Sequence, residues 1–147
     1  MSDLKVVEIR EDNRVLVSEF LDTIQNSKKK FRYFDNRELE CLENHLVTLV
    51  FKLGNRAVAY GHLDEDGGKV WLGVCVSDQY HGIGLGKRMI GCLLEHAENI
   101  DLKEINLSVD KNNKVAYSLY EKMGFILEKE NGKSFFMKKR SFKWQTL

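Results

Sequence analysis

The sequence has no proline and only three cysteines in 147 residues. Without proline, its turns must be made by glycine, asparagine and aspartate. Cys41, Cys75 and Cys92 are odd in number and far apart, with no C-x-x-C pair and no histidine at metal-ligand spacing. They read as reduced thiols filling small apolar gaps, and no metal is expected. Long hydrophobic runs are missing too. His45 to Phe51 is a short apolar run, far below the ~18 residues that a membrane span needs. The first 20 residues carry Asp3, Glu8, Glu11 and Asp12, so they do not read as a signal peptide. Nor is there an excess of either charge: 23 Lys+Arg against 22 Asp+Glu leave +1. That balance speaks against a generic nucleic-acid binder, an acidic tail or a disordered chain. What is present is 43% hydrophobic and 31% charged sequence, enough for a self-sufficient core at this length. The expectation is one cytoplasmic domain over residues 1–147, with neither nucleic acid nor membrane as partner.

Periodicity divides the chain into elements. Leu4 to Arg10 reads as a strand, and Asn13 can cap a helix carrying Val15, Leu16, Phe20, Leu21 and Ile24 at helical spacing. Asn26 to Asp35 breaks the pattern, and Asn36 to Asn44 fits a short second helix. Strands follow at Leu46 to Leu53, Arg56 to Leu63 and Lys69 to Val76, joined at Gly54-Asn55 and Asp64 to Gly68. Gly84 to Glu98 is a helix, Glu104 to Val109 a strand and Asn113 to Met123 a helix. A last hairpin spans Phe125 to Glu130 and Ser134 to Lys139, turning at Asn131-Gly132. The order βααβββαβαββ predicts a mixed sheet with helices on its faces, in the α/β (α+β) class.

The turn after the third strand of that run is rich in glycine. His81-Gly82-Ile83-Gly84-Leu85-Gly86-Lys87 opens a helix. Glycines let backbone N–H groups turn outward, and a helix start adds unpaired donors and a positive dipole end. Such a turn suits a phosphate or pyrophosphate, with Lys87 and Arg88 at its rim. The G-x-G-x-G spacing meets neither the dinucleotide fingerprint nor the P-loop, so a turn that merely lets helix and strand pack closely is the plain alternative. A second segment, Asn113 to Phe125, opens a helix with a capping asparagine and closes it at Gly124. Ala116, Leu119, Tyr120 and Met123 form one face of that helix, and Tyr120 places a phenol on it. Taken alone, Tyr120 fits a packed aromatic as well as a functional one.

These two motifs, in this order, closely resemble the GNAT superfamily of acyl-CoA-dependent N-acetyltransferases. The resemblance covers about residues 45 to 139, while residues 4 to 44 fit by topology. The family pattern Gln/Arg-x-x-Gly-x-Gly/Ala lands on His81 to Gly86, with His81 in place of Gln/Arg and Asp78 where proline is frequent. The pattern N-x-x-A-x-x-L-Y-x-K-x-G-F is complete, from Asn113 to Phe125. The resemblance implies a mostly antiparallel central sheet of about seven strands flanked by about four helices, and acetyl-CoA as co-substrate.

By position, it implies that backbone groups of Val74, Cys75 and Val76 pair with pantetheine, one N–H polarising the thioester carbonyl. The turn that begins at His81, with Gly82, Ile83, Gly84, Leu85, Gly86 and Lys87, holds the CoA pyrophosphate. Asn113 contacts the CoA arm, and Tyr120 is the general acid that protonates the departing thiolate. The implied reaction is direct attack by a primary amine on the thioester. Among the histidines, His62 is the candidate base because its ordinary pKa of ~6.5 suits the task. The plainer reading is a hydrogen-bonded or surface strand histidine. Cys75 reads as packing rather than as a nucleophile.

The acceptor is expected to be a small-molecule amine, such as an amino sugar or a phosphorylated metabolite. The loop Lys28-Lys29-Lys30-Phe31-Arg32-Tyr33-Phe34 offers Arg32 and Tyr33 to it, and His45 borders the same pocket. The rival readings are a protein N-terminal or lysine acetyltransferase, and a non-catalytic acyl-CoA-binding module. Strand edges near Phe135 and Phe136 are compatible with a homodimer.

Overall fold

The computed structural model describes residues 3–24, 31, 33–35 and 37–140. Seven strands form one sheet in the order β1-β2-β3-β4-β5-β7-β6. They are β1 (Leu4–Glu8), β2 (His45–Leu53), β3 (Arg56–Asp66), β4 (Lys69–Val76), β5 (Ile105–Asp110), β6 (Ile126–Glu130) and β7 (Ser134–Lys139). Among the described residues three α-helices accompany them: α1 (Val15–Leu21), α2 (Leu85–Asn99) and α3 (Lys114–Lys122). The helix expected over Asn36 to Asn44 is a 3-10 helix confined to Leu39–Asn44. Only Leu42 of that segment is buried, so it has no apolar stripe wide enough to support a longer α-helix. The predicted strand order along the chain and the mostly antiparallel sheet are both found.

Two apolar layers cover the sheet. On one face α2 lays Leu85, Met89, Ile90, Leu93, Leu94 and Ala97, all buried, across β3 and β4. Gly61 makes this approach possible, since a Cβ there would stand 2.6 Å from the Met89 side chain. On the other face α1 contributes Val17 and Phe20 to a second cluster with Val50, Ala57, Tyr60 and Cys75. No helix among the described residues is long and apolar enough to cross a membrane.

The sheet is two antiparallel ribbons joined at one place. β4 and β5 are its single parallel neighbours, and they are in register only at Trp71 and Asn106. Asn106 is buried and its side-chain amide donates to the Val70 carbonyl at 3.3 Å, which pins the lower ends together. Beyond Trp71 the strands part. β5 turns to β7 instead, pairing from Ile105↔Lys139 to Asp110↔Ser134.

Candidate active site

A cavity of about 490 Å³ opens where β4 leaves β5. Gly73 and Val74 of β4, Val109 and Asp110 of β5, and Asn113 and Tyr120 at α3 wall one half of it. Tyr33, Arg37, His62, Asp64, Asp66 and Trp71 wall the other. Tyr120 is brought there because Asn113 starts α3 at the end of β5. The Asn113 Oδ1 accepts the Ala116 N–H at 3.3 Å, capping the helix as its position in the sequence suggests. Two turns on, Tyr120 is buried and packs against Phe125 with ring centroids 5.9 Å apart. Burial, with a smaller contribution from Cys75, pushes its phenol up to about 12. Tyr120 therefore keeps its proton throughout the neutral range, as a proton donor must.

The glycine turn lies past the end of β4, outside this cavity's wall. Gly82 and Gly84 have φ of +80° and +87°, a left-handed backbone that side chains rarely adopt. Gly84 is the N-cap of the 15-residue α2 and offers no side-chain cap, so the first N–H groups of that helix point outward without one. Lys87 and Arg88 are exposed beside them. His81 is exposed, and its Nε2 stands 2.9 Å from the Val76 carbonyl oxygen, tying the turn to the strand end. This arrangement fits a pyrophosphate, and the parted strands above Trp71 fit an extended amide-bearing arm. Cys75 faces the second apolar cluster, away from the cavity wall, and burial raises its thiol to about 12. A thiol so held is a poor nucleophile at neutral pH.

β3 supplies the other half. Alternation along the strand puts Tyr60, His62 and Asp64 on one face, and all three are buried. The Tyr60 hydroxyl lies 2.7 Å from His62 Nδ1. The Tyr33 hydroxyl donates to Asp64 Oδ2 at 2.8 Å and sits 2.7 Å from His45 Nε2. His45 Nδ1 is in turn 2.8 Å from Thr48 Oγ1. The rings pack closely at a tilt, with centroids 4.3 Å apart for Tyr33 and His62 and 4.5 Å for His45 and His62. Arg37 covers Tyr33 from outside, its guanidinium carbon 4.2 Å from the ring centroid and Nη1 donating to the Tyr33 carbonyl at 2.6 Å. Burial lowers His45 to about 4, against the opposing pull of Asp64, with Arg37 adding a smaller push downward. Burial, then His45 and Arg37, hold His62 well below its ordinary value. Burial and the Asp64 hydrogen bond raise the Tyr33 phenol. Both histidines are thus neutral at pH 7.

Of the residues singled out in the sequence, Tyr120, Val74, Asn113, His62 and Tyr33 meet at the cavity, and His45 stands one hydrogen bond behind Tyr33. Cys75, Val76 and His81 to Lys87 do not line it, and Arg32 lies outside the described residues. Sequence reasoning missed Asp64, Asp66, Trp71 and Arg37. Asp64 and Asp66 fall in the connection expected after Leu63, yet β3 runs on to Asp66. Extending the two-residue alternation from Tyr60 through His62 would have placed both carboxylates on the His62 face.

The acetyltransferase (GNAT) family model matches residues 11–125. A spermine/spermidine N(1)-acetyltransferase of Bacillus subtilis (strain 168) is 42% identical over 64 residues. That stretch spans only about two fifths of this chain and two fifths of the Bacillus protein, 42% of each. Among solved structures, an acetyltransferase of the GNAT family from Streptococcus pneumoniae superposes with a TM-score of 0.79 at 21% identity, covering 93% of this chain and 98% of the other. A spermidine N-acetyltransferase from Vibrio cholerae, in complex with CoA and spermine, gives a TM-score of 0.76 at 16% identity, covering 99% of both chains.

Proposed function

The chain belongs to the acetyltransferase (GNAT) family, and on that premise we propose that it moves the acetyl group of acetyl-CoA to a primary amine of a small, positively charged molecule. The observation that carries the reading is one cavity with two kinds of wall. Val74 and Tyr120 line the part between the separated strands, while Asp64 and Asp66 line the part under Tyr33.

Acetyl-CoA supplies an activated acyl carbon and a thiolate leaving group. The outward N–H groups at Gly82 to Lys87 and the start of α2 hold its pyrophosphate, with Lys87 and Arg88 adding charge. The free edge of β4 at Val74 to Val76 pairs with the pantetheine amides, and a backbone N–H there polarises the thioester carbonyl. Asn113 borders the same arm. Tyr120 donates its proton to the departing sulfur. A thiol of pKa near ~8.5 needs only a hydrogen bond from such a donor to leave.

Charge favours a cationic acceptor. Among the described residues that line the cavity, Asp64, Asp66 and Asp110 stand against one cation, Arg37, with Tyr33 and Trp71 beside them. Carboxylates and aromatic faces attract ammonium groups and repel phosphates. A polyamine, the substrate named for the Bacillus relative, fits this better than the phosphorylated metabolite expected from the Lys28 to Arg32 loop. The test is thiol release from acetyl-CoA with a panel of polyamines, amino sugars, phosphorylated amines and peptide N-termini. Turnover greatest with a di- or polyamine supports the reading. Turnover confined to peptides or to phosphorylated amines overturns it.

A further inference from the structure

The hydrogen bonds around β3 have directions, and these decide which group at the cavity can take a proton. A phenol has one hydrogen to give. Tyr33 gives its own to Asp64 Oδ2, because an ionised carboxylate can only accept. The contact between the Tyr33 oxygen and His45 Nε2 must then be donated by His45, so His45 carries its proton on Nε2. Its Nδ1 is left as an acceptor, and the Thr48 hydroxyl donates to it. The chain Thr48 to His45 to Tyr33 to Asp64 therefore points one way, and every hydrogen in it is directed toward the carboxylate.

The same accounting applies to Tyr60. Its buried hydroxyl has a single hydrogen-bond partner among the described residues, His62 Nδ1. A buried hydroxyl that leaves its hydrogen unused costs about 1–3 kcal/mol, so Tyr60 donates and Nδ1 accepts. In a neutral imidazole the remaining proton then sits on Nε2. Nε2 has no partner among the described residues, and no side-chain nitrogen or oxygen there is both fully buried and unpaired. His62 is buried but lines the cavity, with Nε2 over Gly73. Asp64 lines the cavity too, and among the described residues its hydrogen bond is made through Oδ2, which leaves Oδ1 to act.

We propose that Asp64, at the end of the Thr48–His45–Tyr33 donor chain, is the proton acceptor of the acetyl transfer, and that His62 faces the same cavity as a donor through Nε2–H. This rests on the acetyltransferase reading above. A ring that presents N–H cannot accept the proton of an amine, whereas it can donate to an acyl oxygen. The proton balance is simple. The amine gives its ammonium proton to solvent and attacks as the neutral form; its nitrogen bonds the acyl carbon while one N–H bond breaks, and that proton goes to Asp64. The C–S bond breaks with its electron pair on sulfur, which takes the Tyr120 proton. Solvent then returns a proton to Tyr120 and removes one from Asp64. The base role expected for His62 passes to its neighbour two residues along the strand.

The first test needs no substrate. In protein labelled with 15N at histidine, the ring-nitrogen shifts should report Nε2–H tautomers for both His62 and His45 at pH 7. Tyr60→Phe should erase that preference at His62 while leaving His45 unchanged. A proton on Nδ1 of His62 in the wild-type protein overturns the assignment, whatever the activity. The second test is kinetic, with spermidine and acetyl-CoA. Asp64→Asn should lose at least about 100-fold in kcat, the scale of a general base. His62→Gln, which keeps a side-chain N–H near the Nε2 position, should lose about tenfold. The reverse ranking sinks the proposal, provided that both variants melt as the parent does. If no amine supports turnover in the wild-type protein, the acetyltransferase reading fails and the tautomer result stands on its own.

Discussion

His62 and Gly73 face one another across β3 and β4, and the imidazole occupies the place where residue 73 would carry a side chain. A Cβ at that position would stand 2.5 Å from Nε2 and 2.6 Å from Cε1. His62 cannot swing away freely, because Tyr60 holds Nδ1 and the Tyr33 and His45 rings close over it.

Gly73→Ala should therefore act on the site more than on the fold. Overpacking of this kind costs about 1–3 kcal/mol, which a domain of this size survives. The displaced imidazole should lower kcat/KM by about tenfold, comparable to replacing it. Kinetics beside a thermal melt would measure both. A variant with parental kcat/KM would show that the position of His62 over Gly73 is immaterial.

Tyr120→Phe should lower kcat by about 100-fold or more, with little change in the acceptor KM. The wild-type protein should carry a further signature. With its phenol raised to about 12, Tyr120 is protonated, and so competent, at every pH below that. The rate should show no decline assignable to Tyr120 between pH 7 and 10. A falling limb near pH 9 that vanishes in Tyr120→Phe would place the phenol's pKa well below 12, and parental kcat in Tyr120→Phe would remove the residue from this role.

Stability should fall in mild acid because of the buried histidines. Unfolded histidine takes up a proton below about 6.5, whereas folded His45 does so only at about 4. Between those values the unfolded state binds more protons, so acid favours unfolding. The stabilisation is present above pH 6.5 and is lost as pH falls toward 4. At pH 5 the His45 contribution is a loss of roughly 2 kcal/mol, and His62 adds in the same direction. Melting curves from pH 7.5 to 5 should show a drop of several degrees, and His45→Gln should flatten it. An equal drop in the variant would place the acid sensitivity elsewhere.

Two glycines of one helical region make a matched pair. Gly84 has a φ of +87° at the start of α2, whereas Gly91 sits inside that helix with open space where a Cβ would go. Gly84→Ala should cost about 1–2 kcal/mol and raise the KM for acetyl-CoA. Gly91→Ala should stabilise by about 0.5–1 kcal/mol and leave that KM unchanged. If the two variants behave alike, the turn's left-handed backbone has no part in cofactor binding.

Much of this was legible because local chemistry and global packing agree. Asn113 caps α3, Gly84 opens α2, and the apolar stripe from Leu85 to Ala97 lies on the sheet, as their spacing suggests. The segment before β2 was less legible. Leu39–Asn44 is too short for periodicity to distinguish a 3-10 from an α-helix. The cluster below Tyr33 was the hardest part to foresee. Tyr33, His45, Thr48, His62 and Asp64 come from three parts of the chain: sheet register pairs Thr48 with His62 and His45 with Asp64, and the turn at Tyr33 folds over them. A sequence read element by element shows a strand histidine and a turn aspartate. Only the pairing of β2 with β3 brings them into one hydrogen-bonded group.

The parted edge of β4 has one more consequence. Between Trp71 and Val76 its amides and carbonyls pair with β3 on one side and find no β5 partner on the other. Free protein therefore carries a half-made ladder through its middle, and an extended arm bearing amides can take the missing rungs. Cofactor binding would then close the sheet like a zip, slowing hydrogen exchange at Gly73 to Val76 and raising the melting temperature with ligand concentration. On this view the protein reaches its most rigid state only with its co-substrate as a further strand.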